Sequence, residues 1–207
     1  MIVLFTDFGP HGPYTGQMRA VLAQRAPGVP VIELVNDAPA CRPKSSAYLL
    51  AALAVAFPAD AVFLCVVDPG VGGARTPVVV EADGRRFVGP GNGLFEIVAR
   101  RAATPRFHTI AWMPERLSAS FHGRDLFAPV AAMLAAGEPV PGTACEECPG
   151  GQPEWSDDLA EIVYTDHFGN AMTGLRASTL PAGAALQAGG RSFPPARTLS
   201  DVLTGEG

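Results

Sequence analysis

The chain has 207 residues, 48% hydrophobic and 17% charged, a composition that supports one large domain, or a main domain with a small appendage, around a sizeable core. Its formal net charge of −5 argues against a nucleic-acid or anionic-membrane surface as the main partner. No apolar run is long enough for a membrane helix, and the start turns polar after five residues without a basic leader, so a cytoplasmic protein is expected.

In chain order, "MIVLFT" (1–6) reads as a strand and 14–27 as a helix with Met18, Val21 and Leu22 at helical spacing. "VPVIELV" (29–35) is a second strand, "PKSSAYLLAALAVAF" (43–57) a second helix and "AVFLCVV" (61–67) a third strand. Residues 76–89 predict a hairpin turning at Asp83-Gly84. Helices follow at 92–102 and at 123–137, the latter ended by Gly137. Strands alternating with helices predict an α/β domain over 1–140, with a mainly parallel sheet flanked by helices.

From 141 to 157 the chain is rich in Pro and Gly and reads as a linker. Its "CEEC" (Cys145, Cys148) has no second pair or well-spaced His to complete a metal site, and reads as a solvated loop holding two thiols. Beyond it, "LAEIVYTDHFGNAMTGL" suggests two strands joined by a turn at Gly169-Asn170, the start of a small β domain over 158–207.

In doubly wound sheets ligands bind beyond the carboxyl ends of strands. Two acids stand there: Asp7 in "TDFG" and Asp68 in "VVDPGVGGAR". Alone, Asp7 reads as a turn or helix-capping carboxylate. The glycine-rich loop after Asp68 lacks the order of a phosphate-binding loop, and an acid at its head would repel phosphate. A tight crossover explains its glycines; it does not explain Asp68 and Arg75 together, which could face one another over a small polar cavity. "SFHGRDLFAP" carries Ser120, His122, Arg124 and Asp125 before a helix, and "PGNG" offers Asn92. "TDHFGN" puts Asp166, Phe168 and Asn170 on one turn.

In this order, TDFG, VVDPGVG with its following Arg, PxNG, SFHGRDLFAP and DxFGN resemble the S-adenosyl-L-methionine (SAM) hydroxide adenosyltransferases, the SAM hydrolases related to fluorinases and chlorinases. The resemblance runs from Thr6 to about Thr173. It implies an N-terminal α/β domain, a β-barrel-like C-terminal domain, and a homotrimer with SAM bound between subunits. The implied reaction is displacement at ribose C5′ by water or hydroxide, giving adenosine and L-methionine without metal or cofactor. It implies catalysis by Asp68, Arg75 and His122, whose presence favours hydrolysis over halogenation. Asp7 would hold the ribose hydroxyls, Asp166 and Asn170 the methionine ammonium and carboxylate, and Phe8 and Phe168 apolar walls. Asn92 and Ser120 complete the implied substrate site. The loop glycines would then remove side chains so that substrate can approach the backbone.

This chain departs from the family pattern at Gly12 and Gly91, where acids are usual, and at Gly174, where Asn is usual. Family members also run on past the equivalent of Gly207, through strands that supply much of the adenine pocket. These departures keep open a homologue that binds SAM or adenosine without turnover; a SAM-dependent halogenase is the remaining reading.

Overall fold

The structure, a computed structural model, describes residues 1–181 and 183–193. In chain order the elements are β1 (Ile2–Thr6), α1 (Tyr14–Arg25), β2 (Val31–Val35), α2 (Pro43–Ala54), β3 (Val62–Val66), β4 (Pro77–Ala82), β5 (Arg85–Pro90), α3 (Glu96–Arg101) and β6 (Arg106–Ile110). A π-helical turn at Gly123–Phe127 then leads into α4 (Ala128–Ala135), followed by β7 (Gly142–Cys145), β8 (Leu159–Thr165) and β9 (Ala171–Gly174). One compact unit spans Met1–Gly174. A second, Leu175–Gly207, holds a short 3-10 turn at Ala177–Thr179 and a hairpin of β10 (Leu186–Ala188) and β11 (Arg191–Phe193).

Seven strands form one sheet in the order β2-β1-β3-β5-β4-β6-β7. The first four are mutually parallel; β4, β6 and β7 extend the sheet by antiparallel pairing. β1 is buried along its whole length because both its faces are covered. Ile2 and Leu4 pack with Met18 and Leu22 of α1 and the apolar residues of α4; Val3 and Phe5 pack with α2 and α3 on the other face. Each such Leu or Phe contributes about 1.5–3 kcal/mol by leaving water. Phe63 and Phe87, directly paired across β3 and β5, stack with ring centroids 4.8 Å apart.

Local signals fall where the sequence puts them. Asp83 and Gly84 both take positive φ, as the two-residue turn between β4 and β5 demands. Gly137, at φ 85, closes α4: its N–H reaches the Leu134 carbonyl and the Glu138 N–H reaches Met133.

The stretch expected as a linker is packed instead. Its first residues form β7 on the sheet edge, and 149–157 make a strap tied down by Arg100. That guanidinium donates to the Trp155 and Gln152 carbonyls and to Glu96 and Asp157, while Tyr48 Oη donates to the Ser156 carbonyl. Cys148 is therefore half-buried rather than solvated, and burial, with the Glu96 charge nearby, pushes its thiol up to about 12. The compact unit also runs past the expected boundary at 158, because the β8–β9 hairpin packs on α2. A Cβ on Gly174 would lie 2.7 Å from Leu159 Cβ and 3.3 Å from Tyr48 Cδ1, so close packing accounts for glycine there.

Candidate active site

β1 and β3 are neighbours in the sheet, and the helices on either side of β2 cover opposite faces, α1 one and α2 the other. The carboxyl ends of β1 and β3 therefore open at a topological switch point, where the sheet leaves a crevice. Each strand delivers one acid into it. Asp7 follows Thr6 directly, and its N–H donates to the Val66 carbonyl at 3.3 Å; Asp68 stands two residues beyond Val66.

The loop from Asp68 folds back on itself through Val71 N–H to the Asp68 carbonyl (3.3 Å) and Gly73 N–H to Gly70 (3.0 Å). This returns Arg75 onto Asp68. Nε lies 3.0 Å from both carboxylate oxygens and Nη2 2.5 Å from Oδ2, a forked charge-assisted pair with side chains only 9% and 4% exposed. The glycines serve the protein's own backbone more than a ligand. Gly72 has φ +76, and a Cβ there would lie 2.4 Å from the Ala119 carbonyl oxygen, so the bare loop rests on the segment leading to His122.

His122 immediately precedes the π-helical turn. The turn is latched to α1 by Arg124, which forks onto Asp125 (2.6 and 3.0 Å) and reaches Gln17 Oε1 at 2.7 Å; Asp125 in turn accepts the Ser118 N–H at 2.9 Å. His122 is thereby carried to Arg75, whose Nη2 lies 2.8 Å from Nδ1. A guanidinium has no lone pair to offer, so Nδ1 accepts and the hydrogen of the neutral ring sits on Nε2. Burial, then the adjacent Arg75 cation, hold the imidazole below its usual 6.5 against the pull of Asp68 and Asp125.

Asp7, Phe8, Asp68, Ser120 and His122 line one cavity of about 280 Å³. Its wall includes three residues that sequence reasoning did not assign: Tyr14, Cys41 and Phe121. The rings of Phe8, Tyr14 and Phe121 pack mutually with centroids 5.4–5.9 Å apart. Cys41, a non-glycine residue at φ 56, donates its backbone N–H to Asp7 Oδ2 at 2.8 Å. No local sequence signal marks that role, because it belongs to the backbone. Burial raises the Asp7 carboxyl above 3.8, opposed by the N–H groups of Cys41 and of Asp7 itself, with the charge of Asp68 adding to the rise. A second cavity of about 420 Å³ shares Asp7 and Ala40 with the first and is walled by β8 through Ile162 and Tyr164.

The remaining expected residues are placed elsewhere. Asn92 does not line the cavity: its Nδ2 donates to the Val67 carbonyl at 2.9 Å and its Oδ1 accepts the Leu94 N–H at 3.3 Å. Asp166, Phe168 and Asn170 sit on the β8–β9 turn. Asp166 Oδ1 accepts the N–H groups of Phe168 and Asn170, its Oδ2 accepts Asn170 Nδ2, and Phe168 is 86% exposed. Within one chain these three do not line the cavity that holds Asp68. Among the described residues, no helix is long and apolar enough to cross a membrane.

Comparison with known proteins gives concordant results. The family model described as the SAM hydroxide adenosyltransferase N-terminal domain matches residues 2–143. A protein of Thermus thermophilus named (R)-S-adenosyl-L-methionine hydrolase is 38% identical over 99% of this chain and 85% of its own length. A protein of the same name from Salinispora arenicola is 37% identical over 97% and 82%. Among solved structures, a conserved protein of Thermotoga maritima superposes with a TM-score of 0.82 at 26% identity, covering 94% of this chain and 81% of that one. A conserved hypothetical protein of Thermus thermophilus gives 0.72 at 35% identity, covering 97% and 82%.

Proposed function

The chain belongs to the SAM hydroxide adenosyltransferase family, and on that footing we propose that its Asp68, Arg75 and His122 activate the water that attacks SAM. The enzyme hydrolyses SAM to adenosine and L-methionine. The observation that carries the catalytic assignment is that Asp68 and His122 line one cavity between strand ends and are joined by Arg75, which does not itself line it.

A sulfonium leaves readily, so the barrier lies in holding an oxygen nucleophile in line with C5′–S in a site that excludes bulk water. Asp68 accepts a proton of that water. Nε2–H of His122 donates to its oxygen, and the Arg75 cation stabilises the negative charge that grows on the oxygen as C5′–O bonding begins. The sulfur departs as the thioether of methionine and needs no acid. No metal or cofactor enters this scheme. A halide, unlike water, would meet repulsion from the Asp68 carboxylate, which disfavours halogenation.

Asp7 accepts both ribose hydroxyls, Phe8 and Ser120 border the sugar, and Asp166, Asn170 and Phe168 hold the methionine part from a neighbouring copy of the chain in a homotrimer. Their absence from the Asp68 cavity within one chain, on a turn with an 86% exposed Phe168, supports that arrangement. The test is chromatography of purified protein incubated with SAM in high chloride. Adenosine is expected and 5′-chloro-5′-deoxyadenosine is not; tight SAM binding without product would leave only a binding protein.

A further inference from the structure

We propose that Asn92 is a positioning residue that holds Asp68 and Arg75 in register, not a group that touches substrate. The inference rests on the catalytic assignment of Asp68 above. The β3–β5 ladder ends at Leu64 and Val88, although Gly89 still lies close against the Cys65 carbonyl, so the end of β3 has no ladder partner on that side. Two groups take over the last carbonyls before Asp68. The Asp7 N–H takes Val66 from the β1 side, and Asn92 Nδ2 takes Val67 at 2.9 Å from the β5 side. Val67 is fully buried, so losing that donor would leave its carbonyl without a partner in an apolar setting.

The same turn also holds the far end of the catalytic loop. The Gly91 N–H donates to the carbonyl of Thr76, the residue after Arg75, at 2.8 Å. Residues 91 and 92 thus span the two ends of the 68–75 loop, one before the acid and one after the arginine. The turn is itself fixed from outside by the strap. A Cβ on Gly91 would lie 2.7 Å from the Pro149 carbonyl oxygen, and one on Gly93, at φ +91, 2.7 Å from Trp155. Glycine at 91, where the family pattern has an acid, is required here by that close approach.

Asn92→Asp has the same shape and keeps an acceptor for the Leu94 N–H, but it sets a charged carboxylate oxygen against the Val67 carbonyl in place of the donor; Asn92→Ala removes donor and acceptor without adding charge. Steady-state kinetics with SAM and calorimetry with adenosine are run on both variants beside the wild type. Misplacing a reacting group by about 1 Å costs on the order of 10²-fold, so kcat is expected to fall by up to that factor with KM and adenosine affinity unchanged. A raised KM with kcat intact would make Asn92 a substrate ligand and overturn the proposal. Wild-type kinetics in the variants, or loss of the fold in both by circular dichroism, would overturn it as well. A wild type that yields no adenosine would instead overturn the function it rests on.

Discussion

Arg75 Nη2 stands 2.8 Å from His122 Nδ1 and 2.5 Å from Asp68 Oδ2, so one nitrogen ties the imidazole to the carboxylate. Because Arg75 can only donate, the pair fixes which ring nitrogen of His122 carries its hydrogen. Asp68→Asn and His122→Ala should each lower kcat by roughly 10²–10⁴-fold, with unchanged circular dichroism. Near-normal turnover in either would remove that residue from the reaction.

Arg75→Ala should cost stability as well as activity. It strands Asp68, whose side chain is 4% exposed, without its partner. Loss of one member of such a buried pair typically costs about 3–5 kcal/mol, which a denaturant titration would register alongside the lost activity.

Asp7 presents a conflict between binding and stability. Its carboxyl is raised above 3.8, so ionisation is less favourable folded than unfolded. The stabilising contribution is complete below the unfolded value and is lost as pH rises through the folded one. Asp7→Asn, still able to accept from Cys41, should therefore melt a few degrees higher at neutral pH while KM for SAM rises.

The same groups set the pH profile. Asp7 must be ionised to hold the ribose, and His122 must be neutral to accept from Arg75. The first titrates above 3.8 and the second below 6.5. Activity should fall as pH drops, on an acid limb centred below 6.5. The lowered imidazole also contributes stability above its unfolded value that is lost as pH falls through its folded one. An acid limb centred above 6.5 would contradict the neutral His122.

Arg100 is expected to govern the strap rather than the chemistry. Arg100→Ala frees the Trp155 and Gln152 carbonyls, and Cys148, with its thiol at about 12, should then alkylate faster at mildly alkaline pH than it does in the wild type. Equal alkylation rates would show that the strap holds without it.

The central strands, the flanking helices and the turns at Asp83-Gly84 and Gly137 are legible in the sequence because each depends on local pattern or local backbone need. Asp68 and Arg75 are legible as partners because the loop between them has almost no side chains to oppose its folding back. β6 and β7 are not. Arg106–Ile110 has one buried side chain, and Gly142–Cys145 has none, so their pairing rests on backbone bonds that leave no hydrophobic pattern. Asn92 reads as a substrate ligand for a related reason. An amide that fits a backbone carbonyl is indistinguishable in sequence from one that fits a ligand. The clasp of Arg100 on the strap is likewise invisible, since four of its five carbonyl and carboxylate partners lie more than fifty residues away.

Hydrolysis of SAM in water enriched in oxygen-18, with mass spectrometry of both products, tests water attack at C5′ most directly. The label should appear in the 5′-hydroxyl of adenosine and be absent from methionine. Adenosine left unlabelled in a single turnover, with the label instead in the Asp68 carboxylate, would mean that the carboxylate and not water attacks C5′, and would contradict the roles given to Asp68, Arg75 and His122.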